Sequence, residues 1–511
     1  MRSKNALRNM VYSLGYELLI FVVGLILPRI IILSYGDAIN GLTQTITRLL
    51  SLINLIQAGA VGASIYQMYK PVAEDDFDTQ SAIMYSSKRY FNRLGAIYFV
   101  ASVAVAVFYG FYLQDEALST IEIILSFIIL ALNGSLYFLF NARYDILFSA
   151  YQKRYILTVS SVAERVTYYV LLFLVVDGQL HFSFMYLALL LGGVVRVLVN
   201  SLYYRKLAKG KIDPNPQNKS YPIKDRKYLM MNSIGTEAVA AAPTVIVTTF
   251  VGLAYSSVYS IYAMIYISMK TIINSVQLSV SAIFGNLVAK GDDKAIAKVF
   301  DLLVFIFVIM GAFLASCTAF LLMPFVEIYT KDFDGANYIY PILGVFVTAY
   351  VAIFSLRMVY AFVSTVYGLF KEVCKITFIC GMVCVLISLI ATLLFGMPYV
   401  MVGMVLFHLA YTVVLLIMLK KRIAWFNFRK LWQRVFLLVL LPVVSYLLSV
   451  VFPISITSFT EWIVAAVLYA ILVGLILLLY ALLFERSAVR SLWRYVKNMF
   501  FSKRFKAKRN K

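Results

Sequence analysis

Nine ionisable side chains stand inside long apolar runs of this 511-residue chain: Glu17, Arg29, Arg48, Glu164, Arg165, Arg196, Glu237, Lys270 and Arg357. A charge near the middle of a membrane helix costs roughly 3 kcal/mol, so nine of them facing lipid would cost about 25 kcal/mol. They are therefore expected to line the interior of a helical bundle or a wet cavity. Six are cations and three are anions, so the interior stays positive after internal pairing. That balance suits an anionic substrate.

Each residue also has a plainer reading. Arg29 and Arg48 lie in the outer parts of their runs and can reach outer headgroups along their apolar stems; Arg196 and Arg357 can reach the inner ones. Glu164 and Arg165 are neighbours in sequence and diverge on a helix, so each needs a partner elsewhere, in a structural ion pair or in a site. Lys270 is near the centre of its run, where snorkelling is hardest, and reads as a cavity residue. Glu17 and Glu237 read either as groups that couple transport to a proton or cation, or as internal salt bridges. Pro28 and Pro243 interrupt corresponding runs and read as hinges, because proline frees a backbone carbonyl and permits bending.

The elements that must position these groups follow from composition. The chain is 62% hydrophobic and 14% charged, whereas a soluble domain carries about 25% charged residues. A soluble core stops growing near roughly 250–300 residues, so lipid must solvate most of this surface. With about twenty apolar residues per crossing, the spans are 10–33, 42–68, 89–113, 120–142, 156–177, 182–205, 228–252, 257–284, 298–326, 336–366, 373–395, 398–419, 434–452 and 459–484. Only Gly396-Met397-Pro398 separates the eleventh from the twelfth. The basic start (Arg2, Lys4, Arg8) leads into a run too long for a cleaved signal, so it reads as the first span.

Charge placement tests the count. With the N-terminus inside, 39 of the 46 Lys and Arg fall in cytoplasmic segments, six lie within spans, and Lys331 alone is outside. This positive-inside bias supports fourteen spans with both termini cytoplasmic. It also accounts for the net charge of +22 through topology and anionic headgroups rather than nucleic acid.

The fold expected is an all-α polytopic membrane protein of about 14 transmembrane helices, with two pseudo-symmetric six-helix lobes and two C-terminal helices. The N-terminal lobe is 1–207, a cytoplasmic linker 208–227, the C-terminal lobe 228–419, the extra helices 420–484, and a basic cytoplasmic tail 485–511. In that tail Leu492, Trp493, Val496, Met499 and Phe500 could form an amphipathic helix on the inner surface. An internal repeat supports the lobes: an offset of 220 pairs Ser13-Leu14-Gly15-Tyr16-Glu17 with Ser233-Ile234-Gly235-Thr236-Glu237, Asn54 with Asn274 and Gln57 with Gln277. Parallel repeats of this kind are a transporter architecture.

Other chemistries find little support. Asp332-Phe333-Asp334 could hold a glycosyltransferase metal, but its loop is too short for an acceptor domain, so it reads as a turn. There is no phosphate-binding glycine loop followed by lysine. Cys317, Cys374, Cys380 and Cys384 lie in apolar runs without companion ligands, and His181 and His408 read as isolated. No enzyme, metal or cofactor is expected.

The segment Leu27-Pro28-Arg29-Ile30-Ile31, Tyr35-Gly36-Asp37, Asn40-Gly41-Leu42, Ala58-Gly59 and Tyr69-Lys70-Pro71 resembles the N-terminal region of bacterial polysaccharide flippases. These belong to the multidrug/oligosaccharidyl-lipid/polysaccharide exporter superfamily. The motif is confined to residues 27–71; the architecture resembles that superfamily over residues 1–420.

The resemblance implies alternating-access transfer of an undecaprenyl-diphosphate-linked oligosaccharide from the inner to the outer leaflet of the bacterial cytoplasmic membrane. Membrane lipids and other polysaccharide-assembly membrane proteins would be its partners. Related lipid II flippases carry cavity arginines on helices one, two and eight, where Arg29, Arg48 and Lys270 fall here. Lysine on helix eight is a departure that loses the bidentate fork but keeps the charge. Arg165, Arg196 and Arg357 are further candidate substrate contacts, and Glu17, Glu164 and Glu237 candidate ion-coupling groups. The alternative is a cation-coupled multidrug exporter of the same superfamily, whose cavity would be dominated by carboxylates.

Overall fold

A computed structural model describes residues 2–113, 118–208, 210–213, 216, 227–290, 293–367, 369–422, 428–452 and 456–493. Its regular elements are helical. In the first half they are α1 (Arg2–Tyr35), α2 (Asp37–Ile53), α3 (Ala60–Ala73), α4 (Phe77–Tyr112), α5 (Thr120–Leu136), α6 (Ala142–Ala150), α7 (Tyr155–Asp177) and α8 (Ser183–Ala208). Then come α9 (Lys227–Phe250), α10 (Leu253–Lys290), α11 (Asp293–Thr330), α12 (Pro341–Val366), α13 (Phe370–Phe395), α14 (Val402–Arg422), α15 (Phe428–Val451) and α16 (Phe459–Phe484).

Among the described residues, eleven helices are long and apolar enough to cross a membrane, and twelve if the bent α2–α3 pair is one span. With the 34-residue α1 and the 38-residue α10, the helical rods number fourteen. The all-α polytopic expectation is met. The short Gly396 separation holds too: the chain turns through Gly396 at φ +91° and a 3₁₀ turn, Met397–Met401, before α14 starts.

Two rods are broken, neither of them at a proline. Pro28 and Pro243 lie inside continuous helices, because one lost N–H bond is tolerated where neighbouring helices and side chains satisfy the freed groups. The second span instead bends by 42° between α2 and α3, where the 3₁₀ turn Asn54–Gln57 runs into Gly59 at φ +78°. The fourth span contains a π turn, Tyr137–Asn141, between α5 and α6. Such turns recur at functional sites.

The chain forms two compact units. The first comprises 1–260 with 333–336, and so includes α9; the second comprises 261–332 and 337–511. In the first, α2 packs closely on α9 and the start of α10. A β-carbon at Gly41 would collide with the Leu253 carbonyl. Beside this contact the Asn40 amide donates to Ser257 Oγ at 2.7 Å and Ser260 Oγ at 3.2 Å, and the Thr45 and Thr248 hydroxyls share a hydrogen bond. Small residues and hydroxyls of this sort join helices in lipid, where apolar burial between helices drives little. Gly41→Leu is therefore expected to destabilise the protein by about 1–3 kcal/mol, read as a lower melting temperature in detergent. An unchanged melting temperature would refute the close contact.

The segment Phe333–Ala336 also belongs to the first unit. The Ala336 N–H donates to Asp37 Oδ2 at 2.8 Å, and Phe333 lies under the Arg29 guanidinium, 5.7 Å from ring centroid to Cζ. The Asp332-Phe333-Asp334 motif thus starts in a turn and continues into irregular chain. In the second unit α11 is the most enclosed candidate span, with 72% of its apolar window buried, against 17% for α16. The outward faces of α15 and α16 carry Trp432, Phe436, Leu475 and Leu479, all exposed, as lipid-facing helices require.

Candidate functional site

The first unit holds a polar cavity of 390 Å³ among α2, α4, α5, the π turn, α7 and α8. Two cations, Arg165 and Arg196, and one carboxylate, Glu164, lie in its wall with Thr47, Ser51, Asn54, Asn133, Tyr137 and Asn141. Arg196 Nη1 donates to Glu164 Oε2 at 3.0 Å. The two sit on α7 and α8, which approach closely: a β-carbon at Gly192 would lie 2.7 Å from the Glu164 carbonyl oxygen. Glu164 finds its partner on another helix, as two adjacent residues that diverge on α7 require. Arg165, next along α7, lies in the same wall and donates to the Tyr16 and Tyr169 hydroxyls beside it.

Nε of Arg165 and Nε of Arg196 are both buried without a hydrogen-bond partner. The hydroxyls are mostly engaged: Thr47 donates to the Thr43 carbonyl, Ser51 to the Arg48 carbonyl, and Tyr137 to Asp145 Oδ2 at 3.2 Å. Asp145 lies behind the wall and also accepts from Ser149. Asn141 Oδ1 accepts from Asn200, and Asn54 Oδ1 accepts from Gln57. The lining therefore offers guanidinium and amide N–H groups with one carboxylate already committed to Arg196. An arrangement of this composition can hold an anion or a polyhydroxylated group.

The second unit gathers a different cluster. Arg357 Nη1 lies 3.1 Å from His408 Nδ1, so that nitrogen accepts and the ring proton sits on Nε2. The guanidinium is enclosed by aromatic faces, with centroids at 4.7 Å for Tyr411, 5.6 Å for Phe407 and 5.7 Å for Phe354. Cation–π contacts strengthen when the cation is desolvated. Lys270 is also close enough to act on the His408 ring. His408 is thus not isolated, and neither is His181, whose Nε2 lies 2.9 Å from Glu122 Oε1. On the same unit a separate apolar groove of 260 Å³ runs between α12 and α15, lined by Ala352, Leu438, Pro442 and Tyr446 among others.

The nine residues singled out in the sequence thus divide. Glu164, Arg165 and Arg196 come together in the first unit; Lys270 and Arg357 come together around His408 in the second. Arg29, on α1, lies against Phe333. Arg48, half-buried, shares α2 with the lining residues Thr47 and Ser51 but is outside the wall itself. Glu237 is half-buried on α9. The Glu17 side chain, most of the 208–227 linker, and Val496, Met499 and Phe500 lie outside the described residues; Trp493 is exposed.

Sequence reasoning missed Asn133, Tyr137 and Asn141, whose signal was polar residues within an apolar run. It also missed Arg434, which lies at a span boundary. Arg434 donates to both Glu485 oxygens, Nε to Oε1 at 2.6 Å and Nη2 to Oε2 at 3.0 Å, and Nη1 reaches Asp301 Oδ1 at 2.8 Å. This ties α15 and the end of α16 to α11.

No protein-family model matches the sequence, and no curated protein matches it. Solved structures share its fold. An inward-facing multidrug resistance MATE family transporter of the MOP superfamily aligns with a TM-score of 0.68 at 12% identity, over 81% of this chain and 98% of that one. The lipid II flippase MurJ, in an inward closed conformation, aligns with a TM-score of 0.65 at 14% identity, over 92% and 99%. A Vibrio cholerae MATE transporter gives 0.56 at 11% identity, over 83% and 98%. At such identities the likeness is one of fold.

Proposed function

We propose that this chain is a flippase that moves a lipid-linked, diphosphate-bearing oligosaccharide from the inner to the outer leaflet of a bacterial cytoplasmic membrane by alternating access, with both its termini in the cytoplasm. The observation that carries the reading is the intramembrane cavity of the first unit, polar, roomy and cation-rich, inside a fold shared with the flippase MurJ. Sugars would occupy the wet cavity while the prenyl tail stays in lipid. Arg29, Arg48 and Lys270 are the further cations proposed to meet the phosphates through charge-assisted hydrogen bonds. Glu17 and Glu237 are proposed to couple transport to a cation, and Pro28 and Pro243 to act as hinges. No covalent bond is broken in this scheme, so the protein is not read as an enzyme.

A second reading, a cation-coupled multidrug exporter, draws on the likeness to MATE transporters. The cavity disfavours it, since its single lining carboxylate is already paired with Arg196.

The test is rescue of surface-polysaccharide export in a flippase-null strain. Wild type should restore export, and Arg48→Ala, Arg165→Ala and Lys270→Ala should each reduce it. Full export by all three variants would eliminate the proposed phosphate and sugar contacts. Drug efflux by wild type without glycan rescue would favour the second reading.

A further inference from the structure

We infer that the cavity of the first unit is built for an acidic sugar, a hexuronic acid or a sugar of equivalent charge, within the transported glycan. This rests on the reading of that cavity as the seat of the sugars. Two observations carry it. The wall holds two guanidiniums against one carboxylate, and that carboxylate is bonded to Arg196, so Arg165 supplies the surplus charge. The rest of the polar lining consists of neutral amides and hydroxyls from α2, α5 and the π turn, among them Asn54, Asn133 and Asn141, the groups that pair with sugar hydroxyls.

Size and position agree. At roughly 30 Å³ per water, 390 Å³ holds about a dozen waters, which is ample for a hexose ring with some of its hydration. A free inorganic anion would satisfy the guanidiniums but leave the amides to water. A neutral sugar would satisfy the amides but leave the guanidinium surplus. Only a ligand with both parts meets both halves of the wall, with its carboxylate toward Arg165 and its hydroxyls toward the asparagines. Asp145, behind the wall, keeps its negative charge, but Arg154 acts on Tyr137 as well and offsets it, so the surplus stands.

The test uses the purified full chain in detergent and ligand-observed saturation-transfer NMR with glucuronate, glucose, acetate and inorganic phosphate. Glucuronate should bind saturably and about tenfold more tightly than glucose or acetate, the difference that one charge-assisted hydrogen bond makes. Arg165→Gln should abolish that preference, bringing glucuronate down to the affinity of glucose. Because Arg196→Gln strands Glu164, the charge-neutral double variant Glu164→Gln with Arg196→Gln serves as the folded control and should also lose affinity for glucuronate. Equal binding of glucose and glucuronate would overturn the acidic-sugar assignment. Acetate or phosphate competing as strongly as glucuronate binds would overturn it in favour of a plain anion site, and so would glucuronate binding indifferent to Arg165→Gln. Export rescue that succeeds while glucuronate fails to bind removes this inference and leaves the flippase reading intact.

Discussion

Arg434→Met alone is expected to lower the stability of the protein by about 3–5 kcal/mol, the usual cost of breaking one half of a buried ion pair. Only 2% of the Arg434 side chain and 5% of the Glu485 side chain are exposed, so the carboxylate left behind has no water to turn to. The geometry is the strong bidentate one, with both guanidinium edges engaged and Nη1 held by Asp301 and the Asp301 carbonyl. The double variant Arg434→Met with Glu485→Met should recover most of the loss, because two well-packed apolar side chains can replace a buried pair at little net cost. Asp301 is left tolerable in that variant, being 36% exposed and within 3.6 Å of Lys430. Thermal unfolding of the single and double variants in one detergent measures the difference. Equal destabilisation by both would show that shape, not charge, makes the contact. If the pair behaves as expected, α15 and α16 are pinned to α11 at these ends by this cluster as well as by the apolar contact of Leu302 and Phe305 with Ala481 and Ala488.

Arg196→Gln is expected to reduce export by an order of magnitude or more, and to destabilise the first unit as well. The Glu164 side chain is 11% exposed and its ion-pair partner is Arg196 at 3.0 Å, so removing the guanidinium leaves an uncompensated carboxylate inside the bundle. The two consequences separate in a double-mutant cycle. Glu164→Gln with Arg196→Gln restores charge balance and should recover melting temperature, while export stays low, since the cavity has lost one of its two guanidiniums. Recovery of both stability and export in the double variant would make the pair purely structural and would shift the weight of the site onto Arg165. Lys substituted at 196 would keep the charge without the planar fork and should give an intermediate export level.

The architecture was largely legible in the sequence because the bilayer leaves few options. A backbone in lipid must satisfy its own polar groups, so every sufficiently long apolar run becomes a helix, and the short separation at Gly396-Met397-Pro398 does divide two spans. The breaks were less legible. Pro28 and Pro243 drew attention as helix breakers, yet the second span bends at Asn54–Gly59 and the fourth carries a π turn at Tyr137–Asn141. The glycine turns that follow α1 and α9, at Gly36 and Gly252, are 216 residues apart, so the ungapped 220-residue register drifts by about one helical turn beyond them.

What the residues decided on their own was that charged groups in apolar helices must face inward, and that cations would outnumber anions there. Which of them meet was decided by tertiary structure alone: Glu164 with Arg196, Arg357 with His408, Arg434 with Glu485. The reason is rotational. A helix that is apolar on nearly every face has a weak directional signal in its sequence, so its rotation about its own axis is set by the packing of its neighbours. That rotation determines whether a buried arginine ends at a carboxylate, an aromatic cage or an open cavity.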